Sequence, residues 1–421
     1  MTGLFPRPRL DPAPSTAPLP DVCREAITGP QWDGIPTLRE ATFFVGGLVG
    51  IGIIVPFAAQ LVHAVVVVLA FLLSELDLRR RYRVITVLAL MAGYLAVERT
   101  LPRPEAIYIL WSGRALRAFL VLRCIDYVLA RPRKQLSAKR WHRIFQYALY
   151  VTYLPAVFSG PVVTFNEFYR SYYPGSAFHR RPLPYNSAKV VWGGFKFYVL
   201  APFLVRGEGF LYGLSVGTGP DLGLQAPGLF MWLYILAALL HLYIMFSGFT
   251  DMAIGLSRLL GFQLYENFNY PLLASTPLHY WKTWHVSAYH WLMTHVFYPT
   301  WNHRQVTLKI LSAFMASSLW HFSISMRPGW DSAVHLTCSA ILYGGTVAII
   351  ARFSQGGFCA TLPVKSHSGK LLQRVMANAG TIVFIAVIHQ IFRAGLAGKP
   401  IGETLKMFHT LFIELFTVSI G

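Results

Sequence analysis

The chain has 421 residues, of which 54% are hydrophobic, 15% aromatic and only 13% charged; its mean hydropathy is +0.46. A soluble domain carries about a quarter charged residues, so the composition argues against an ordinary soluble enzyme and for a polytopic membrane protein built as one large bundle. The formal net charge of +19 falls largely between apolar runs, which reads as basic loops facing anionic lipid headgroups rather than as a nucleic-acid surface.

The apolar runs are long and continuous rather than alternating, which argues against a β-barrel. A lipid-exposed backbone must satisfy its own hydrogen bonds, so the expected fold is all-α. The four cysteines, Cys23, Cys124, Cys338 and Cys359, show neither metal spacing nor a disulfide framework.

Residues 1–40 hold eight prolines and mixed charges with no signal-peptide core, and read as a Pro-rich N-terminal tail. The remainder, 41–421, reads as one transmembrane domain. Residues 41–74 contain no Asp, Glu, Lys or Arg. As one straight helix they would span about 51 Å, beyond a hydrocarbon core of about 30 Å. Pro56 and the nearby glycines therefore predict two short pieces or one bent segment. "RRRYR" (79–83) and "RPRKQLSAKRWHR" (131–143) are two basic clusters, the second with six Lys/Arg and no acid. Both are expected on the cytoplasmic side, with 84–130 an out-and-back hairpin turning at 98–105. Further apolar runs follow from 144 to 420, several of them short or broken. Arg170, Arg180, Arg181 and Lys189 in the loop 165–189 conflict with simple alternation, so a re-entrant segment is expected there. The total is about ten to twelve membrane segments, including short and re-entrant helices.

Residues 247–284 are the main polar interruption, and backbone of that kind at membrane depth is tolerated only inside protein or along a water-filled cavity. In "FSGFTDMAIG" (246–255) the Gly/Ser/Thr cluster predicts a sharp bend. Asp251 then either caps a helix starting at Met252 or lines a cavity. In "GFQLYENFNYPLL" (261–273), Asn267 and Asn269 either satisfy turn backbone or face a cavity. In "YWKTWHVSAYHW" (280–291), a helix would put Trp281, Trp284 and His285 on one face, with Tyr289 continuing it. An interfacial aromatic belt is the alternative. His321 sits inside the apolar run opened by Ile310. It is either a core histidine donating to a carbonyl one turn away or a functional group, because ionisable residues at membrane depth mark function. Its imidazole has the intrinsic pKa for proton transfer near neutrality. His285, His290 and His295 recur every five residues and cannot converge on one helix, so no metal site is expected. No G-x-S-x-G, P-loop or dinucleotide fingerprint is present.

In order and spacing, "FSGFTDMAIGLSRLLGF", "ENFNYP", "YWKTWHVS" and "LWH" resemble the membrane-bound O-acyltransferase (MBOAT) superfamily. The nearest branch is that of bacterial alginate O-acetyltransferases and teichoic-acid D-alanyltransferase membrane subunits. The strong resemblance covers 246–322, with weaker echoes at 154–168 and 193–204. It implies a ring-like helical bundle with a central tunnel. A cytosolic acyl-CoA or acyl-carrier-protein thioester would enter from one side and a hydroxyl acceptor from the other. No tightly bound cofactor is implied. His321 falls on the family's intramembrane histidine and His285 on its second histidine. On this resemblance His321 is the general base and His285 orients or polarises the carbonyl. Asp251, Asn267, Asn269, Trp281, Trp284, Tyr289 and Trp320 would shape the substrate cavity. The implied setting is the bacterial inner membrane, with a separate extracytoplasmic acyltransferase as partner. Phe322 departs from the family's "LWHG", and 291–301 lacks the branch's usual arginine and aspartate. Rival readings are acylation of a lipid or small metabolite, and a proton-coupled transporter using His321 as a relay.

Overall fold

The computed structural model describes residues 38–54, 57–100, 107–130, 140–157, 160–172, 183–220, 224–262, 264–299, 305–355, 367–414 and 419–420. The N-terminal tail up to residue 37, Pro56, the tip of the 98–105 turn and most of the second basic cluster lie outside the described residues.

The charge-free stretch forms two helices, α1 (Leu38–Ile54) and α2 (Phe57–Glu75). Each is about 26–29 Å long, somewhat short of a hydrocarbon core of about 30 Å. The predicted hairpin is α3 (Arg80–Thr100) against α4 (Ile107–Ala130). Arg83 closes it by donating to the Val128 carbonyl at 3.1 Å. Beside it, Arg143 on α5 (Arg140–Thr152) makes a two-pronged ion pair with Glu75, at 3.2 and 2.6 Å. Arg83 and Arg143, one from each basic cluster, therefore lie at the same end of the bundle. A short helix α6 (Phe165–Tyr172) follows, with Glu167 accepting from the Thr164 N–H at 2.9 Å and so capping its first turn.

The next pair is longer. α7 (Leu183–Phe195) passes through a π turn (Lys196–Leu200) into α8 (Ala201–Ser215), and α9 (Pro227–Leu259) runs back along both. The expected bend at 246–255 is absent: α9 continues through it, so Asp251 is not a helix cap. Thr250 and Ser247 return their hydroxyls to the carbonyls of Ser247 (3.1 Å) and Ile244 (3.4 Å), which satisfies them inside the helix. Gly248 serves helix contact rather than bending. A Cβ there would lie 2.8 Å from the Lys196 Cβ and 2.9 Å from the Gly193 carbonyl oxygen.

After α9 the chain makes an irregular crossing to α10 (Pro277–Thr283) and α11 (Val286–Leu292), with a π turn over Met293–Phe297. Thr276 starts α10 by accepting from the His279 N–H at 3.1 Å, with Pro277 at the first helical position. Then come α12 (Val306–Ile324), α13 (Trp330–Gln355), α14 (His367–Ala397) and α15 (Ile401–Phe412). The only strand pairing among the described residues is a two-residue bridge, Leu224–Gln225 with Ser419–Ile420.

The fold is thus all-α and polytopic. By length and composition, four described helical stretches can cross a membrane: Leu183–Ser215, Pro227–Leu259, Trp330–Phe353 and Ser368–Ala397. Large apolar side chains such as Val191, Tyr198 and Phe203 face outward on the first of them, as a lipid-facing surface requires. Among the described residues, most buried apolar side chains gather in two regions. One is built on α2–α6 around Tyr127, Tyr147, Tyr150 and Phe165. The other is built around Tyr280, Trp284, Tyr343 and Ile385.

Candidate active site

The two candidate histidines sit at the seam between these regions. His321 lies in the last turn of α12. Its Nδ1 is 2.7 Å from the Ser317 carbonyl oxygen, one turn back. A carbonyl only accepts, so Nδ1 carries the proton and Nε2 of the neutral ring carries the lone pair. That Nε2 makes no hydrogen bond among the described residues. The expected carbonyl contact is therefore present, and it orients the ring without consuming its basic atom. His335 shows the contrast: its Nδ1 donates to the Asp331 carbonyl (2.7 Å) and its Nε2 meets the Thr404 hydroxyl (2.9 Å), so both nitrogens are used. The His321 ring is held edge-on by Phe392 of α14 at 4.8 Å and by Trp320 at 4.7 Å. The end of α12 is tied down by Met326, whose N–H donates to the Leu396 carbonyl at 2.7 Å.

His285 arrives differently. The sequence suggested one helix over 280–291, but α10 ends at Thr283 and His285 has a left-handed backbone, φ 47°. Trp281, Trp284, His285 and Tyr289 therefore do not share one helical face. Left-handed backbone at a non-glycine costs about 1–2 kcal/mol and persists where its surroundings enforce it. Here Asn267 does so. Its backbone carbonyl accepts from the Val286 N–H at 2.9 Å. Its side-chain Oδ1 accepts from the Ser287 N–H at 3.1 Å and the Ser287 hydroxyl at 2.8 Å, and lies 3.2 Å from His285 Nδ1. The Ser287 oxygen in turn accepts from the Val162 N–H at 2.8 Å. Asn267 thus secures a corner in a distant part of the chain, not its own turn.

The His285 ring stands edge-on to Phe246 of α9 at 4.8 Å and lies 6.4 Å from the Trp320 ring. Through Trp320 the two histidines share a wall. Trp320 is fixed by its indole N–H, which donates to the Ala118 carbonyl at 3.1 Å. Trp284 stacks on Tyr280 at 5.4 Å and meets Phe268 at 5.0 Å. Trp281 packs between Tyr343 and Phe314. These tryptophans form the scaffold behind the histidines.

The other candidates lie further out. Asn269 is exposed, and its backbone N–H donates to the Thr283 carbonyl at 3.0 Å. The Tyr289 ring meets His290 at 5.8 Å. Asp251 is held by two lysines: Lys189 at 2.6 Å, and Lys196, which also reaches the Ser247 hydroxyl. Lys189 continues to Glu266 at 2.7 Å, and Glu266 to Arg258 at 3.0 Å. Asp251 therefore belongs to a charged clamp between α7, α9 and the following loop.

Sequence reasoning did not single out Ser317, Ser287, Phe246 or Phe392. Ser317 was findable, since the i−4 carbonyl is the natural partner of a helical imidazole. The others are contacts between distant parts of the chain. A further unpredicted feature is the buried pair of Asp126 and His295 at 2.7 Å, where Asp126 also accepts from Tyr150 and from the Phe165 N–H.

Comparison with known proteins covers this region. The chain is 27% identical over 212 residues to a probable alginate O-acetylase of Azotobacter vinelandii, covering 48% of this chain and 39% of that protein. It is 25% identical over 269 residues to a peptidoglycan O-acetyltransferase of Helicobacter pylori, covering 62% of this chain and 45% of the relative. Over 115 residues it is 29% identical to a teichoic acid D-alanyltransferase of Bacillus subtilis, covering 27% and 28%. The matched region spans about two fifths of the length of the alginate O-acetylases. The family model for membrane-bound O-acyltransferases matches residues 115–326, half of the chain, enclosing both histidines and the Asn267 corner. The chain is therefore an integral, multi-pass member of the membrane-bound O-acyltransferase family.

Proposed function

We propose that this protein is an O-acyltransferase of the bacterial inner membrane. It moves an acetyl or other short acyl group from a cytosolic thioester to a hydroxyl acceptor destined for the cell envelope or an exopolysaccharide. The observation that carries this reading is the state of His321: an imidazole in the last turn of an apolar helix whose Nδ1–H is committed to the Ser317 carbonyl, leaving Nε2 as a base. The family match and the relatives' names, alginate O-acetylase and peptidoglycan O-acetyltransferase, support the reaction class and an envelope polymer as the final recipient.

The acceptor hydroxyl gives its proton to Nε2 of His321 as its oxygen attacks the thioester carbonyl. The new C–O bond forms, the C–S bond breaks, and the proton leaves on the thiolate as free thiol. General-base assistance of this kind is worth about 10²–10⁴-fold. Bringing two substrates together from opposite faces of the membrane contributes further through positioning. The donor is acyl-CoA or an acylated carrier protein. The basic residues meeting at the Arg83 and Arg143 end of the bundle suit the negative charge of either. His285 positions the thioester, with Trp281, Trp284 and Trp320 shaping the space, and Asp251, Asn269 and Tyr289 support it from outside. A separate extracytoplasmic acyltransferase completes delivery to the polymer.

The test is acyl transfer in proteoliposomes supplied with labelled acetyl-CoA, reading free-thiol release and label transfer. His321→Ala is expected to lose at least about a hundredfold in turnover. Full activity in a folded His321→Ala protein would overturn the reading.

A further inference from the structure

The Asn267 corner assigns the chemistry that His285 presents. The backbone N–H of Ser287 can only donate, so the Asn267 atom facing it is the oxygen. The Ser287 hydroxyl lies 2.8 Å from that same oxygen and 3.2 Å from His285 Nδ1, and its proton goes to the nearer atom, which can only accept. His285 Nδ1, 3.2 Å from it, must then carry hydrogen, because a bare Nδ1 would set two lone pairs against each other. The neutral His285 ring therefore has its lone pair on Nε2. That atom is buried and without a partner, in a residue only 8% exposed. The amide nitrogen of Asn267, in a residue 1% exposed, is likewise buried and unpartnered. A buried polar atom left unpaired is costly and calls for a partner.

An acceptor at Nε2 does not polarise a carbonyl oxygen, which needs a donor. Resting on the acyl-transfer reading above, we infer that His285 and Asn267 form a recognition site for the amide-bearing arm of the thioester donor: Nε2 of His285 accepts an amide N–H, and the Asn267 amide donates to an amide carbonyl. The pantetheine arm, common to coenzyme A and carrier proteins, supplies both groups. Only an ethylene spacer and the sulfur separate its nearest N–H from the reacting carbonyl. Phe246 stands edge-on to the His285 ring at 4.8 Å and Trp320 lies 6.4 Å from it, so side chains at this seam must move to admit the arm. Asn267 is then a positioning residue that sets the tautomer of His285 as well as a contact to the donor.

The test uses the full chain in lipid, labelled with ¹⁵N-histidine. The His285 signals, assigned by their loss in His285→Phe, should show an unprotonated Nε2 and a protonated Nδ1. Adding S-acetyl-pantetheine should move the Nε2 signal. An analogue with the amide N–H next to the cysteamine arm replaced by ester oxygen should leave it in place. In turnover, that analogue should raise the donor KM roughly tenfold in wild type and make no difference in His285→Phe. A protonated Nε2, or equal shifts with both compounds, overturns the inference whether or not transfer occurs. Transfer that depends on His321 but ignores the missing N–H overturns it too and leaves the general-base reading intact. Loss of His321-dependent transfer from every thioester, with the spectral response preserved, would instead sink the acyl-transfer reading alone.

Discussion

Replacing Asp251 with asparagine tests whether this carboxylate is scaffold or substrate contact. The clamp contains three cations, Lys189, Lys196 and Arg258, and two anions, Asp251 and Glu266. The Lys189, Lys196, Asp251 and Arg258 side chains are 7–15% exposed, so solvent screens them little. Asp251→Asn leaves three buried cations against one anion, with Lys196 losing its only carboxylate among the described residues. Removing one partner of a buried pair costs about 3–5 kcal/mol, because the remaining charge stays buried and uncompensated. Lys189 keeps Glu266, so the lower end, about 3 kcal/mol, applies. Lys196→Met instead leaves two cations against two anions and should cost about 1 kcal/mol or less. The double variant should cost no more than Asp251→Asn alone, because the stranded cation is gone. Tryptophan-fluorescence unfolding in detergent ranks the variants, and acyl transfer before unfolding separates stability from chemistry. If Asp251→Asn unfolds with wild-type stability and instead raises a substrate KM, Asp251 belongs to the substrate cavity. If Lys196→Met proves worse than Asp251→Asn, the charge argument itself is refuted.

Ser317→Ala should keep turnover within a few-fold, because the His321 Nδ1–H is held by the Ser317 carbonyl at 2.7 Å and the hydroxyl stands off at 3.4 Å; a hundredfold loss in the transfer assay would give the hydroxyl the orienting role. Gly248→Ala should destabilise by about 1–3 kcal/mol, since its Cβ meets backbone and Cβ atoms of the facing helix. Gly207→Ala, with nothing within 4 Å, should stabilise by about 0.5–1 kcal/mol; thermal unfolding in the reverse order contradicts the packing. Burial opposes ionisation of Glu266, yet Lys189 and Arg258 outweigh it and hold its carboxyl below the ordinary carboxylate value of 4.5. A lowered folded-state value gives stability that is complete above 4.5 and lost as pH falls through the folded value. The stability gap between wild type and Glu266→Gln should thus be flat through neutrality and close only under more acidic conditions, and a gap that closes near pH 7 would contradict the pairing.

Much of the fold was legible in the residues. A charge-free stretch too long for one span became α1 and α2, and the 84–130 hairpin became α3 and α4, because hydropathy and segment length are local quantities. His321 was legible for the same reason: an imidazole inside an apolar helix stands out, and its i−4 carbonyl is set by helical geometry. The bend at Gly248 was misread because glycine serves both bending and close packing, and only the presence of α7 against it decides between them. His285 was placed on a helix because 280–291 has a helical face pattern. Nothing local announces that Asn267, 18 residues earlier, pulls that residue into a left-handed corner.

The sequence by itself determined the class of the molecule: apolar content, basic loops and the ordered motifs from 246 to 322 required a helical membrane protein with a histidine at depth. The tertiary structure decided what each polar group does there. Asp251 became a clamp because two lysines from another helix neutralise it, and Asn267 became the residue that positions His285. A hydrogen bond between distant residues depends on where two backbones meet in space, and neither residue's neighbours in sequence carry that information.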